Sequence, residues 1–520
     1  MKGRWRWMLL LPLLLLAVPV ACSSGATLPP VDGGEDAAAS GDGDGGVAGD
    51  DGHADADLPP ADDGGDAGRD AGGDPGVDGG GDEGADQGPL FTVLPGEDFD
   101  DADLRVSIFF SPVDDTRQQV LDYLAAAQHS LHLAFFNVRL QEVGDLLVAQ
   151  HQAGLDVHLL MDRKQMDKSY NTMDDWLLEQ GVPVTGILND SAADATMHDK
   201  FTIVDSRWVL TGSLNYSATA FTRSEEDLWV IDDPALAALY QQEFDELLAG
   251  QQVPGTPDPQ ADLQVYFGPE DRLDLATVAA IDDARRDVEV IMFSAGLADL
   301  TDALVAAVGR GVRAVLLIDR RQSEDTGADE TMEAAGVHVL RVDRSFPVEL
   351  HHKLCVVDGT WVLGGSYNWT PLASFHNDEN LLKVRSPALA TRVLERLLQI
   401  AAAEDDSFSP AGYGWTAGSR TVTFTVVNLQ VRADGAVYLL GDVPELGGMD
   451  ASRAVAMQRE ILPDGERWSA TVQLDAGATV NYGYLVRGPG GINNREGGPA
   501  RTFTVPYPEE DYRLFDTFRQ

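Results

Sequence analysis

The chain has 520 residues, enough for two to four domains, and a formal net charge of -48 at pH 7. Such a surplus of acid excludes a protein that grips duplex DNA mainly by neutralising its phosphates, which takes dense Lys and Arg. The two cysteines, Cys22 and Cys355, do not make a disulfide framework, and Cys355, inside an apolar run, reads as a small buried hydrophobe.

Residues 1–22 read as an export signal: Lys2, Arg4 and Arg6 lead into an apolar stretch over 8–21 that is short for a membrane span. The run Ala21, Cys22, Ser23, Ser24 resembles a bacterial lipoprotein signal, in which the cysteine is lipidated and becomes the new N-terminus; cleavage after Ala21 would instead release a secreted protein. Either way the expected location is outside the cytoplasm, with membrane anchoring through Cys22 in the first case. Residues 23–89 are almost entirely Gly, Asp and Ala. They cannot bury enough apolar surface to offset chain entropy, which predicts a disordered acidic tether.

Residues 90–250 and 251–405 repeat one another: 106–112 answers 264–269, and 154–162 answers 311–319. In each half apolar β-rich runs (131–136 and 288–293) alternate with helical ones (118–127 and 300–308), and a second strand ends at Asp162 or Asp319. The pattern is α/β, and strand ends of this kind are where open α/β sheets hold functional groups. Lys164, Arg320 and Arg321 follow these strands and either rim a site or form surface ion pairs. Residues 406–419 read as a linker. Short alternating runs at 421–427, 436–440, 469–474, 481–486 and 501–505 then predict an all-β sandwich over 420–510, with 511–520 as a tail.

The chemistry is concentrated in two copies of His-x-Lys-x4-Asp. His198, Lys200 and Asp205, followed by Gly212, Ser213 and Asn215, recur with identical internal spacing as His351, Lys353 and Asp358, followed by Gly365, Ser366 and Asn368. On a strand the His and Lys of each set share a face and the residue between them points away, so His352 is expected as a packed or exposed bystander. One such pair alone is ordinarily a surface feature; two at matched repeat positions, meeting across a pseudo-twofold axis, make a phosphate site. Phosphodiester hydrolysis needs a nucleophile, an acid for the leaving oxygen and positive charge on the equatorial oxygens. Two imidazoles and two ammonium groups supply all of these, with no metal and no cofactor implied.

These motifs resemble the phospholipase D superfamily over roughly residues 90–400. The resemblance implies two phospholipase D-like α-β-α halves forming one catalytic unit, with His198 as nucleophile and His351 as general acid. It implies that Lys200, Lys353, Asn215 and Asn368 bind the nonbridging oxygens, supported by Ser213 and Ser366, and that Asp205 and Asp358 are structural. Members also carry an acidic residue after Gly-Ser-x-Asn that holds a ring nitrogen of a catalytic histidine; Glu379, between Asp378 and Asn380, fits, and Glu226 is the looser match. Residues 437–447, Trp468, Tyr482, Tyr484 and 498–505 resemble a starch-binding module of carbohydrate-binding family 20, whose two exposed tryptophans stack sugar rings. Met449 and Arg495 stand at those positions, so a β-sandwich with weak polysaccharide binding is expected, and Trp468 is placed in its core.

The expected activity is hydrolysis of a phosphodiester through a phosphohistidine, with a phospholipid headgroup ranked above nucleic acid because of the tether and the acidic balance. A secreted metal-independent nuclease of the same superfamily is the alternative, on the similarity of the run around Asn377 and Glu379 to small nucleases. A surface glycan-binding protein with a vestigial catalytic half is the third reading. With both motif copies on one chain, no dimer is needed to complete the site.

Overall fold

Apolar β-branched runs at equivalent places in the two repeats fold into equivalent strands. The computed structural model describes residues 91–93, 99–101 and 103–519, apart from 324–326, 346, 405–414, 463–464, 492 and 509–510. The export signal with Cys22, the tether and most of the linker lie outside the described residues. In the first half a seven-stranded mixed sheet runs Val106–Ser111, Glu226–Asp232, Trp208–Gly212, Lys200–Val204, Ser130–Phe135, Asp156–Asp162, Val184–Ile187. The second half repeats it as Leu263–Gly268, Glu379–Arg385, Trp361–Gly365, Lys353–Val357, Asp287–Met292, Arg313–Asp319, His338–Val342. The sequence-predicted α/β halves are therefore present with one topology.

Position in the sheet explains composition. Every residue of Lys200–Val204, Lys353–Val357 and Asp287–Met292 is buried, as expected of central strands covered on both faces. The outer faces pack on helices such as Thr116–Ala126, begun by Asp115 accepting from the Gln118 amide at 3.0 Å, and Ala298–Gly309. The inner faces pack on each other: Phe201, Ile203 and Trp229 share one core with Leu354, Val356 and Leu382. Gly364 permits this approach, because a Cβ there would stand 2.7 Å from the Trp229 ring. Cys355 is buried and its thiol is pushed up by burial, in keeping with a hydrophobe.

The C-terminal β module is two five-stranded sheets. All five sequence-predicted strands are found, the first as Ser419–Val431 and the others as Ala436–Gly441, Gly465–Asp475, Thr479–Arg487 and Arg501–Thr504. Phe424 packs edge-on to Tyr482 between the sheets at 4.8 Å, and Trp468 is buried, its indole N–H donating to Glu466 at 3.1 Å.

Both predicted ends of this module are corrected. The expected tail contains the strand Asp511–Thr517, which pairs in parallel with Ser419–Val431 and buries Tyr512 and Leu514. Phe91–Val93, assigned from sequence to the first half, pairs antiparallel with the far end of the same strand. The last helix of the second half, Pro387–Glu404, abuts the module: the Thr504 amide donates to Glu395 at 3.0 Å. Among the described residues no helix is long and apolar enough to cross a membrane.

A chain ending at Pro508 loses the parallel strand and the burial of Tyr512 and Leu514. At about 1.5–3 kcal/mol for each buried side chain, the β module should lose about 3–6 kcal/mol, read as an earlier urea transition in near-ultraviolet circular dichroism.

Candidate active site

Each His-Lys pair enters a central strand of its sheet, and the motif aspartate ends that strand. Asp205 and Asp358 sit at φ 54° and 52°, in the left-handed turn. Their carboxylates accept backbone N–H groups from the turns that lead into the strands Ser130–Phe135 and Asp287–Met292: Gln128, His129 and Ser130 on Asp205, and Arg285, Arg286 and Asp287 on Asp358. Both are structural, at the opposite end of the strand from the histidines. Burial raises the Asp205 carboxyl, but these three N–H bonds outweigh it and hold it below its ordinary value.

The histidines meet at the junction of the halves, and their partners are exchanged. His198 Nδ1 lies 2.8 Å from Glu379 of the second half, and His351 Nδ1 lies 2.7 Å from Glu226 of the first. Backbone pairing enforces the exchange. The His198 amide donates to the Asp378 carbonyl at 2.9 Å, and the His351 amide to the Glu225 carbonyl at 2.9 Å. Each glutamate is itself held by a serine of its own half: Ser366 donates to Glu379 at 2.5 Å and Ser213 to Glu226 at 2.6 Å. The serines thus steady the carboxylates, rather than the phosphate-binding groups that the sequence reading gave them. All four acids and bases are buried. A carboxylate at Nδ1 favours the tautomer with the proton on that nitrogen, which leaves Nε2 as the acceptor.

The lysines follow the same symmetry. Lys200 Nζ donates to the His198 carbonyl at 2.8 Å, and Lys353 Nζ lies 2.9 Å from the His351 carbonyl and 2.8 Å from His351 Nε2. Each stands over a ring that the sequence reading gave only as a strand end: Phe136 under Lys200 at 5.3 Å and Phe293 under Lys353 at 5.0 Å. The same rings meet His198 and His351 edge-on at 5.3 and 4.7 Å. Asn368 is fully buried with neither side-chain atom hydrogen-bonded to the described residues. Asn215 lines a small cleft with Glu226, Asn137 and Arg139, the last two not foreseen from sequence.

A family model described as "Cardiolipin synthase, PLD-like domain" matches residues 120–248 and again 277–400. The two halves belong to the phospholipase D superfamily. A second model, described as "Starch binding domain", matches residues 419–513. The mitochondrial cardiolipin hydrolase of Chlamydomonas reinhardtii is 34% identical over 127 residues, 24% of this chain and 55% of that protein. The phospholipase D of Rickettsia bellii (strain RML369-C) is 26% identical over 140 residues, 27% of this chain and 67% of that protein. The chain spans about half the length of the first of these relatives. A solved phospholipase D family member, Nuc from Salmonella typhimurium, aligns at 24% identity and TM-score 0.26 over 28% of this chain and 95% of its own.

Within this phospholipase D pair of halves, Asp162 and Asp319 are anchors and not reacting groups. Asp162 accepts the amide of Met197 at 3.0 Å and Asp319 that of Leu350 at 3.1 Å, each the residue before a histidine. Lys164 holds the carbonyls of Ala193 and Ala195, and Arg321 that of Val348 at 3.0 Å, so both tie down the loops that lead into the motifs. Arg320 is the surface case, 3.4 Å from Asp343.

Beneath the histidines lies a second exchanged layer. His352 is fully buried, with Nδ1 2.9 Å from Asp227 of the other half, whose second oxygen accepts from Trp229 at 3.0 Å. The equivalent pair is Asp199 with Asn380, at 2.8 Å. In the β module, Met449 is 41% exposed and lines one surface cavity with Arg495, so neither sugar-stacking position carries an aromatic ring.

Burial pushes Asp199 up to about 8; the Asn380 hydrogen bond opposes this, and Glu379 and Asp378 reinforce it. The folded chain therefore keeps a proton that the unfolded chain sheds near pH 3.8, and the stability this contributes is lost as pH rises to about 8. Asp199→Asn removes that loss. Its stability relative to the parent should grow from about pH 4 to about pH 8 and level off above, in urea unfolding at each pH.

Proposed function

We propose that this chain is a phospholipase D-type phosphodiesterase that cleaves a phospholipid headgroup ester in two steps through a phosphohistidine. The observation that carries it is the pair of exchanged contacts, His198 with Glu379 and His351 with Glu226, which turn two Nε2 atoms onto one site. In the first step His198 Nε2 attacks phosphorus, the bond to the leaving oxygen breaks, and protonated His351 gives its Nε2 proton to that oxygen. In the second, His351 takes a proton from water, the hydroxide oxygen bonds to phosphorus, and the phosphorus–nitrogen bond breaks to restore His198. Lys200 and Lys353 leave their carbonyl partners for the nonbridging oxygens, and Asn215 and the unpaired amide of Asn368 complete that shell.

The phospholipid assignment draws on the names of the relatives and on the acidic balance of the chain. An export signal and lipidation at Cys22 would bring the enzyme to a membrane outside the cytoplasm. The β module adds at most weak affinity for polysaccharide.

The test is incubation of the chain with cardiolipin or phosphatidylcholine vesicles, and separately with plasmid and single-stranded DNA. Phosphatidic acid should be released, together with choline from phosphatidylcholine or phosphatidylglycerol from cardiolipin. His198→Ala and His351→Ala should abolish release, and Glu379→Gln and Glu226→Gln should each lower kcat by about 10²–10⁴-fold. Shortened or nicked DNA without lipid turnover would overturn the lipid assignment, and silence on every substrate would overturn the enzyme.

A further inference from the structure

The two halves share one numbering offset around the site, 153 residues from His198 to His351, and the same offset relates Glu225 to Asp378 and Glu243 to Arg396. Equivalent positions can therefore be compared directly, and one pair is opposite in charge. On one side Glu225 is neutralised: Arg396, on the helix Pro387–Glu404, forms an ion pair with it, and Arg344 donates to it at 3.2 Å. On the other side Asp378 takes the place of Glu225, and Glu243, on the helix Pro234–Ala249, holds the position equivalent to Arg396.

No basic side chain among the described residues pairs with this second cluster. Asp378 accepts only amides, from Asn189 at 3.0 Å and Gln252 at 3.3 Å. The carboxylate oxygens of Glu243, Glu246 and Glu270 lie within 4.8 Å of one another. Glu246 accepts from Gln242 at 2.7 Å and from the Val253 amide at 3.2 Å. Glu243 is 5% exposed and has no hydrogen bond or ion pair among the described residues, and Glu270 Oε2 is buried in the same state. Glu243 and Glu246 open onto a cavity of about 350 Å³. An unpaired carboxylate this deeply buried is unfavourable unless a proton or a cation joins it.

We propose that Glu243, Glu246 and Glu270 bind a divalent cation, calcium by preference, in the place that the other half fills with the Arg396 guanidinium. The donors are all hard carboxylate oxygens, which excludes soft-metal chemistry. Calcium, with bonds to oxygen of about 2.3–2.6 Å, accepts a flexible shell of about six to eight ligands that the cavity can complete with water; magnesium demands a tighter octahedron. The cation does not touch the reacting atoms. It would steady the segment of Asp378, whose carbonyl holds the His198 amide and whose neighbour Glu379 holds the His198 ring.

The experiment is thermal unfolding of the full chain after chelation, with calcium chloride or magnesium chloride added back, for the parent, Glu243→Gln, Glu270→Gln and Glu243→Arg. Calcium at about 100-fold over its Kd should raise the parent Tm by about 5 °C. The rise should vanish in both Gln variants, and Glu243→Arg, which copies Arg396, should hold a high Tm without calcium. Calcium collected elsewhere on this acidic chain would raise all variants alike. A Tm indifferent to calcium, a rise that persists in both Gln variants, or a response to magnesium alone would overturn the proposal.

Discussion

Everything at the centre of this molecule depends on an exchange of carboxylates between halves. Neither half can orient its own histidine: the ring of His198 is set by Glu379 and the ring of His351 by Glu226. The exchange is built into the backbone, since the peptide before each glutamate pairs with the peptide of the opposite histidine. The shared core behind it, with Phe201 and Trp229 against Leu354 and Leu382, keeps the two sheets in register. Misplacement of one half by a fraction of a hydrogen-bond length would disturb both dyads at once, because each spans the junction.

The symmetry is strict where chemistry needs two equal imidazoles and relaxed where it does not. Histidine, lysine, serine, glutamate and the supporting phenylalanine are duplicated. One layer down, Asp199 with Asn380 stands opposite His352 with Asp227, so the halves differ in proton inventory directly beneath the site. A further step outward, Glu243 occupies the position equivalent to that of Arg396. Differences between the halves thus grow with distance from the reacting centre, which gives a duplicated fold room to treat its two histidines differently.

Much of this was legible in the sequence because both levels of periodicity are strong there. The repeat, the strands ending at Asp162 and Asp319, the structural role of Asp205 and Asp358, and Glu226 and Glu379 as holders of ring nitrogens all follow from spacing and from the family resemblance. Which glutamate serves which histidine does not, because spacing inside one half carries no information about its docking on the other. His352 read as a bystander since its partner Asp227 lies 125 residues away across the junction. The strand Asp511–Thr517 was missed because Asp516 occupies an inward position, where its carboxylate accepts from Tyr482 and Tyr484, and so hides the apolar alternation of Tyr512 and Leu514.

Phe91–Val93 lies in the sheet of the β module, although the catalytic halves come between in sequence. Its partners, Leu429 to Val431, are more than three hundred residues downstream, so this sheet is finished only after both halves have been made and closes over a long loop. The arrangement also has a mechanical meaning. Tension applied from the N-terminal side of residue 91 runs first into the strand Ser419–Val431, and the three pairings of Phe91, Thr92 and Val93 must give way before any of it reaches the junction that holds the histidines.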